Sequence, residues 1–168
     1  GSPAIRAYDP ACVPGYKKLA GECQPHGCLV FGQLTHPGRE MALASDGSRP
    51  VAYAPAAIPN ERFHVMPRAM SISLINEIIK GFELSASHLR EAGLDGIELV
   101  ASHGYLLGQF LNPKINLRTD KYGGNFEGRL RFLKDAIEAT RRGAGGEMVL
   151  GVRLSGVDKD YTENELGQ

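Results

Sequence analysis

The sequence predicts an α/β fold of parallel strands covered by helices, and a barrel segment in preference to an open sheet. Three observations carry this. Apolar residues fall alternately at helical spacing and in short strand-like runs, giving the order helix, strand, loop, helix, strand, loop, helix, strand. Both long irregular segments follow strands, which is where α/β enzymes place their active sites. No strand leads into a G-x-G-x-x-G or G-K-[ST] turn, which weighs against a dinucleotide-binding or P-loop open sheet.

The first helix runs from Pro10 to Cys23, where Val13, Tyr16, Leu19, Ala20 and Cys23 recur at helical spacing and Pro25 and Gly27 end it. The run from Leu29 to His36 is short, mostly apolar and bounded by glycine and proline, as a buried strand should be. From Pro37 to Arg68 no period is sustained, and the segment is too long for an ordinary connection. Ser71 is a plausible N-cap for a second helix whose face is Ile75, Ile78, Ile79, Phe82, Ala86 and Leu89, and Gly93 stops it. Asp95 to Ala101 reads as the second strand. His103 to Gly124 is again irregular. A third helix spans about Glu127 to Arg142 with Leu130, Leu133, Ala136 and Ile137 inward, and Met148 to Ser155 is the third strand. The polar remainder, 156–168, is expected to fray.

Composition narrows the function. The 168 residues hold 19 basic and 19 acidic side chains, so no charge surplus draws the chain to nucleic acid or an anionic membrane, and a small-molecule substrate is expected. No apolar run approaches the roughly 20 residues of a membrane span, and the N-terminus does not resemble a signal peptide, so a cytoplasmic protein is expected. Gly1-Ser2 is compatible with the scar of a cleaved tag. Three cysteines cannot all pair with one another, which fits a reducing compartment. Cys23, His26 and Cys28 lie close in sequence, but a tetrahedral zinc site needs a fourth ligand, so no metal site is expected and the run is read as a helix end entering a strand.

Strand parity selects the candidate site residues, because alternate side chains of a barrel strand face the axis. On the first strand, Val30, Gly32 and Leu34 suit the helix side, leaving Gln33 and Thr35 inward. An inward glutamine needs partners for its carbonyl and its amide, which either neighbouring backbone or a heterocycle would supply. On the third strand, Arg153 points inward with Val149, Gly151 and Ser155. A guanidinium there needs a carboxylate, a phosphate or a polarised oxygen, and Glu98, inward on the second strand, is one available partner. His103 and Tyr105, two apart just beyond the second strand, are placed to face one pocket.

The stretch EAGLDGIELVASHGYLLGQFLNPKINLRTDKYGGNFEGRLRFL, residues 91–133, resembles the signature of the old yellow enzyme family of FMN oxidoreductases. GQLTHPGR (32–39), MPRAMS (66–71) and GVRLS (151–155) match the family in the same order. The resemblance implies a partial TIM (β/α)₈ barrel, with the three strands as barrel strands three, four and five. It implies FMN as cofactor and NAD(P)H as reductant, with hydride passing through the flavin to an activated alkene such as an enone or a dienoyl thioester. By position, Gln33 resembles the residue on the flavin pyrimidine edge, Arg153 the cation beside flavin N1 and O2, Tyr105 the proton donor, and His103 one of two anchors of the substrate carbonyl. Thr35 and Val100 match substrate-pocket positions. Members that reduce simple enones usually carry histidine where this chain has Val100, which leaves oxidative N-demethylation or amine dehydrogenation open as alternatives. A family barrel needs about 250 residues. The chain is therefore expected to be one partial domain, completed by a longer chain or by homo-oligomerisation, and by itself a barrel fragment that is catalytically silent is the alternative.

Overall fold

The computed structural model describes residues 5–42, 47–48 and 50–156. A short 3₁₀ turn at Pro10–Cys12 leads into helix α1 (Val13–Cys23), and a second at Gln24–His26 ends on Gly27 in the left-handed region, φ 78°. Strand β1 (Phe31–Leu34) follows, shorter than the apolar run that contains it. The described residues 50–68 are more ordered than their sequence suggests. They carry two-residue strands β2 (Tyr53–Ala54) and β3 (Arg68–Ala69), paired in parallel, and an antiparallel bridge between Asn60 and Val65.

Helix α2 (Ile72–Glu91) is capped by Ser71, whose Oγ accepts from Leu74 N at 3.1 Å. Strand β4 (Gly96–Ala101) is followed by helix α3 (Leu106–Leu111) inside the second segment expected to be irregular. That helix escapes a periodicity reading because it is only six residues long, apolar on nearly every side, with Leu106, Leu107, Gln109 and Phe110 buried. Helix α4 (Phe126–Ala144) begins at the Asn125 cap, whose Oδ1 accepts from Gly128 N at 2.9 Å, and strand β5 (Val149–Leu154) closes the described chain. Beyond Gly156 the tail lies outside the described residues.

The three long strands form one parallel sheet in the order β1-β4-β5. Asp95 gathers their N-terminal ends. Its backbone bonds Val30 O and Val149 N, and its carboxylate takes Val30 N at 2.7 Å and Gln24 Nε2 at 3.1 Å. The outer faces of the strands and the inner faces of α2 and α4 make the core, in which Ile75, Leu89, Ile97, Leu99, Phe132 and Ala136 are fully buried. The helices approach so closely that a Cβ at Gly143 of α4 would run into the backbone carbonyl of Glu83 on α2. The opposite, inner face is open: Phe31 and Val149 stand there 44% and 54% exposed. No described helix is long and apolar enough to cross a membrane.

Candidate active site

The site starts from the strand register. Gln33 pairs with Glu98 across β1 and β4, and Arg153 pairs with Val100 across β4 and β5, so the three polar side chains lie diagonally along one face. That is the inward face expected from parity for Gln33 and Arg153. Glu98 joins them: Gln33 Nε2 donates to its Oε1 at 2.6 Å, and Arg153 donates from Nε at 2.9 Å and from Nη2 to Oε2 at 3.4 Å. The hydrogen bonds from Arg153 and then from Gln33 hold the Glu98 carboxyl below the usual glutamate range. Arg153 keeps Nη1, and Gln33 keeps its carbonyl oxygen, without a partner among the described residues.

At the C-terminal end of this row is a cavity of about 360 Å³ lined by Gln33, Glu40, Arg62, Phe63, Val100, His103 and Tyr105. Four of the six residues singled out from the sequence thus reach it, and Arg153 belongs to the row beneath. Thr35 does not. It shares the inner face but lines a larger, mainly apolar groove of about 680 Å³ along the open edge of β1, with Tyr8, Tyr16, Leu74 and Phe82. The polar groups converge in the smaller cavity, so that is where chemistry is to be sought.

Ser102 to Tyr105 is a tight turn closed by Tyr105 N to Ser102 O at 3.1 Å, with positive φ at both central residues, 58° at His103 and 72° at Gly104. The left-handed region costs a residue other than glycine about 1–2 kcal/mol, so the chain spends stability to turn His103 into the cavity. The buried Ser102 hydroxyl lies 2.8 Å from His103 Nδ1. If the hydroxyl donates, the imidazole proton sits on Nε2. The His103 and Tyr105 rings stand 6.2 Å apart, near enough to flank one small molecule.

Several supporting residues were not singled out from the sequence. Gln109 of α3, fully buried, donates to Pro37 O at 3.1 Å and Gly104 O at 2.6 Å and accepts from Arg39 N at 3.3 Å, so one amide joins the loop after β1 to the loop after β4. Gly38, at φ 61°, passes so near that a Cβ there would meet the Gln109 amide. Leu106 N also bonds His36 O at 2.9 Å, and burial pushes the His36 imidazole below its usual value. A lone amide within an apolar six-residue run was the available signal for Gln109. Glu40, Arg62 and Phe63 gave none, because they come from a segment without a period. Among the described residues no cluster of His, Cys, Asp and Glu could hold a metal.

A parallel sheet with helices outside it and a polar cavity at its C-terminal ends defines an α/β barrel of the TIM type, here in part. The chain belongs to the NADH:flavin oxidoreductase / NADH oxidase family, whose model matches residues 2–166. It is 39% identical over 154 residues to an NADPH dehydrogenase of Bacillus velezensis, covering 92% of this chain and 43% of that protein. It is 37% identical over 145 residues to a multifunctional alkene reductase/demethylase of Caballeronia cordobensis, covering 86% of this chain and 21% of the relative. Among solved structures, a complex of 2-naphthoyl-CoA reductase with 2-naphthoyl-CoA superposes with a TM-score of 0.80 at 31% identity, over 94% of this chain and 26% of the other. The chain therefore spans less than half the length of each of these relatives.

Proposed function

We propose that this chain is the central segment, barrel strands three to five, of an FMN-dependent oxidoreductase that uses NAD(P)H to reduce an alkene activated by a carbonyl. The observation that carries the reading is the Gln33–Glu98–Arg153 row lying directly under a cavity that also holds His103 and Tyr105. The residues fit a flavin. Gln33 offers both a donor and a free acceptor, which suits the alternating edge of a pyrimidine ring, and Arg153 has an unengaged nitrogen for a polarised oxygen. When bound, FMN supplies hydride, renewed from NAD(P)H.

The chain's own residues do the rest. His103 Nε2 donates to the activating oxygen, with Ser102 holding the tautomer that makes it a donor. Tyr105 gives its phenolic proton to the α-carbon and recovers one from solvent. Val100 contributes shape and exclusion of water, since its side chain has no polar atom. Relatives that carry names such as NADPH dehydrogenase and alkene reductase support this reading, and the 2-naphthoyl-CoA complex supports a thioester among the substrates.

Among the described residues the inner face is open and the outer edges of β1 and β5 are unpaired, which favours a second reading for these 168 residues alone, as a barrel piece that holds no flavin until further strands cover it. One experiment addresses both. The full-length protein should purify yellow, consume NAD(P)H with cyclohexenone or a dienoyl-CoA, and pass few electrons from methylated amines to an added dye acceptor, while residues 1–168 alone should take up no added FMN. Tyr105→Phe should slow alkene reduction and leave flavin reduction by NAD(P)H nearly intact. Equal loss of both half-reactions would refute the role given to Tyr105.

A further inference from the structure

We infer that Arg62 is the second donor to the substrate's activating oxygen, in place of the polar group that Val100 cannot supply. This rests on the reading above and narrows it. The turn that bears Arg62 is a built platform. Asn60 N and Val65 O bond at 2.8 Å, Asn60 Oδ1 accepts from Phe63 N at 3.0 Å, and Asn60 Nδ2 donates to Glu40 Oε1 at 2.6 Å, with Asn60 itself 3% exposed. Arg39 adds bonds from Nη1 to Ile58 O at 3.2 Å and Pro59 O at 2.9 Å just before the turn. Arg62 extends from this platform into the wall of the cavity shared by Val100, His103 and Tyr105. Its guanidinium lies 5.0 Å from the centroid of the Phe63 ring, and no carboxylate among the described residues pairs with it.

A guanidinium that packs on an aromatic ring leaves most of its N–H donors available to another partner. Exposed on the wall of the cavity that His103 also lines, it supplies the second hydrogen-bond donor that makes enolate formation easier. The cavity's other charge is Glu40, whose carboxylate is engaged by Asn60. Arg62 and Glu40 together bring no net charge. That balance suits a reacting alkene and carbonyl that are neutral when bound and anionic at oxygen only as hydride arrives at carbon, so Arg62 acts on the transition state more than on binding.

The test uses the full-length holoenzyme, Arg62→Leu and Arg62→Lys, with cyclohexenone as substrate and cyclohexanone as non-reacting ligand. Arg62→Leu should lower kcat for alkene reduction by about 10²–10³, the usual loss for one such donor. Flavin reduction by NAD(P)H and the Kd for cyclohexanone should stay within about threefold of wild type, since an interaction made only in the transition state leaves binding alone. Arg62→Lys, which keeps the charge, should recover most of the loss. A wild-type kcat in Arg62→Leu overturns the inference, as does a rise in KM and Kd with kcat unchanged. If the wild-type holoenzyme itself reduces no enone, the functional reading of the previous section fails instead.

Discussion

Replacing Gln109 by leucine tests whether the cavity walls are held as one unit. The side chain is fully buried, and leucine is close to it in volume, so the change removes hydrogen bonds with little loss of packing. Two backbone groups lose their partner, Gly104 O at the short distance of 2.6 Å and Arg39 N at a weaker 3.3 Å, while Pro37 O keeps its bond from Glu40 N at 3.0 Å. A buried group left without a partner costs about 1–3 kcal/mol. Counting the Gly104 carbonyl fully and the amide lightly, and allowing water to reach part of the gap, the expected loss is about 2 kcal/mol, appreciable beside the roughly 5–15 kcal/mol of a typical domain. Urea unfolding of the full-length protein measures it as a lower midpoint at constant slope. Because Gly104 precedes Tyr105, alkene reduction should fall more than flavin reduction. A stability loss under about 1 kcal/mol with both half-reactions unchanged would show that the loops hold their places without the amide, and the reasoning would fail.

Two further predictions concern pH. Glu98 is held below the usual glutamate range by Arg153 and Gln33, so its stabilising effect is present above the ordinary value of 4.5 and is lost as pH falls through the lowered one. Glu98→Gln should therefore narrow the difference in Tm between pH 7 and acid without abolishing it, since Asp95 and Asp120 are lowered too; an unchanged difference refutes the assignment. Tyr122 behaves in the opposite sense. Burial and the bond from its hydroxyl to Asp135 push it from 10 up to about 12, so its contribution is complete below pH 10 and is lost as pH rises through the higher value. Tyr122→Phe should cost about 1 kcal/mol at neutral pH and flatten the decline between pH 10 and 12, read by alkaline denaturation.

What the sequence made legible follows from period. The amphipathic faces of α2 and α4 are long, and their caps and stops are conventional residues, so both helices stand where the pattern put them. Strand parity turned Gln33 and Arg153 to the correct face because β1 and β5 alternate between apolar and polar or small residues. Helix α3 and the β2/β3 pair were not legible, the first for being short and apolar on nearly every side and the second for being two residues long. Arg118 shows the kind of contact that no local pattern encodes: its Nη1 bonds Pro55 O at 2.9 Å and Met70 O at 2.7 Å, 63 and 48 residues away. The cavity was legible where it is made of strand ends and the adjoining turn, and illegible where segment 37–68 folds back over it. Gln33 borders both cavities, whereas Thr35 lines only the groove along the open edge of β1.

The division between sheet and loops has a consequence for how such a site diversifies. The spacing of Gln33, Glu98 and Arg153 is fixed by backbone pairing, which no loop sets. The cavity above it is walled chiefly by Glu40, Arg62, Phe63, His103 and Tyr105, all beyond the strand ends. Insertions or exchanges in segment 37–68 therefore redraw what the cavity admits while the row beneath keeps its geometry. Recombining that segment among relatives is a route to new selectivity, and the bonds from Gln109 and from Arg118 to it set the rule of inheritance: the loop after β1 should travel together with α3 and the turn that follows α3.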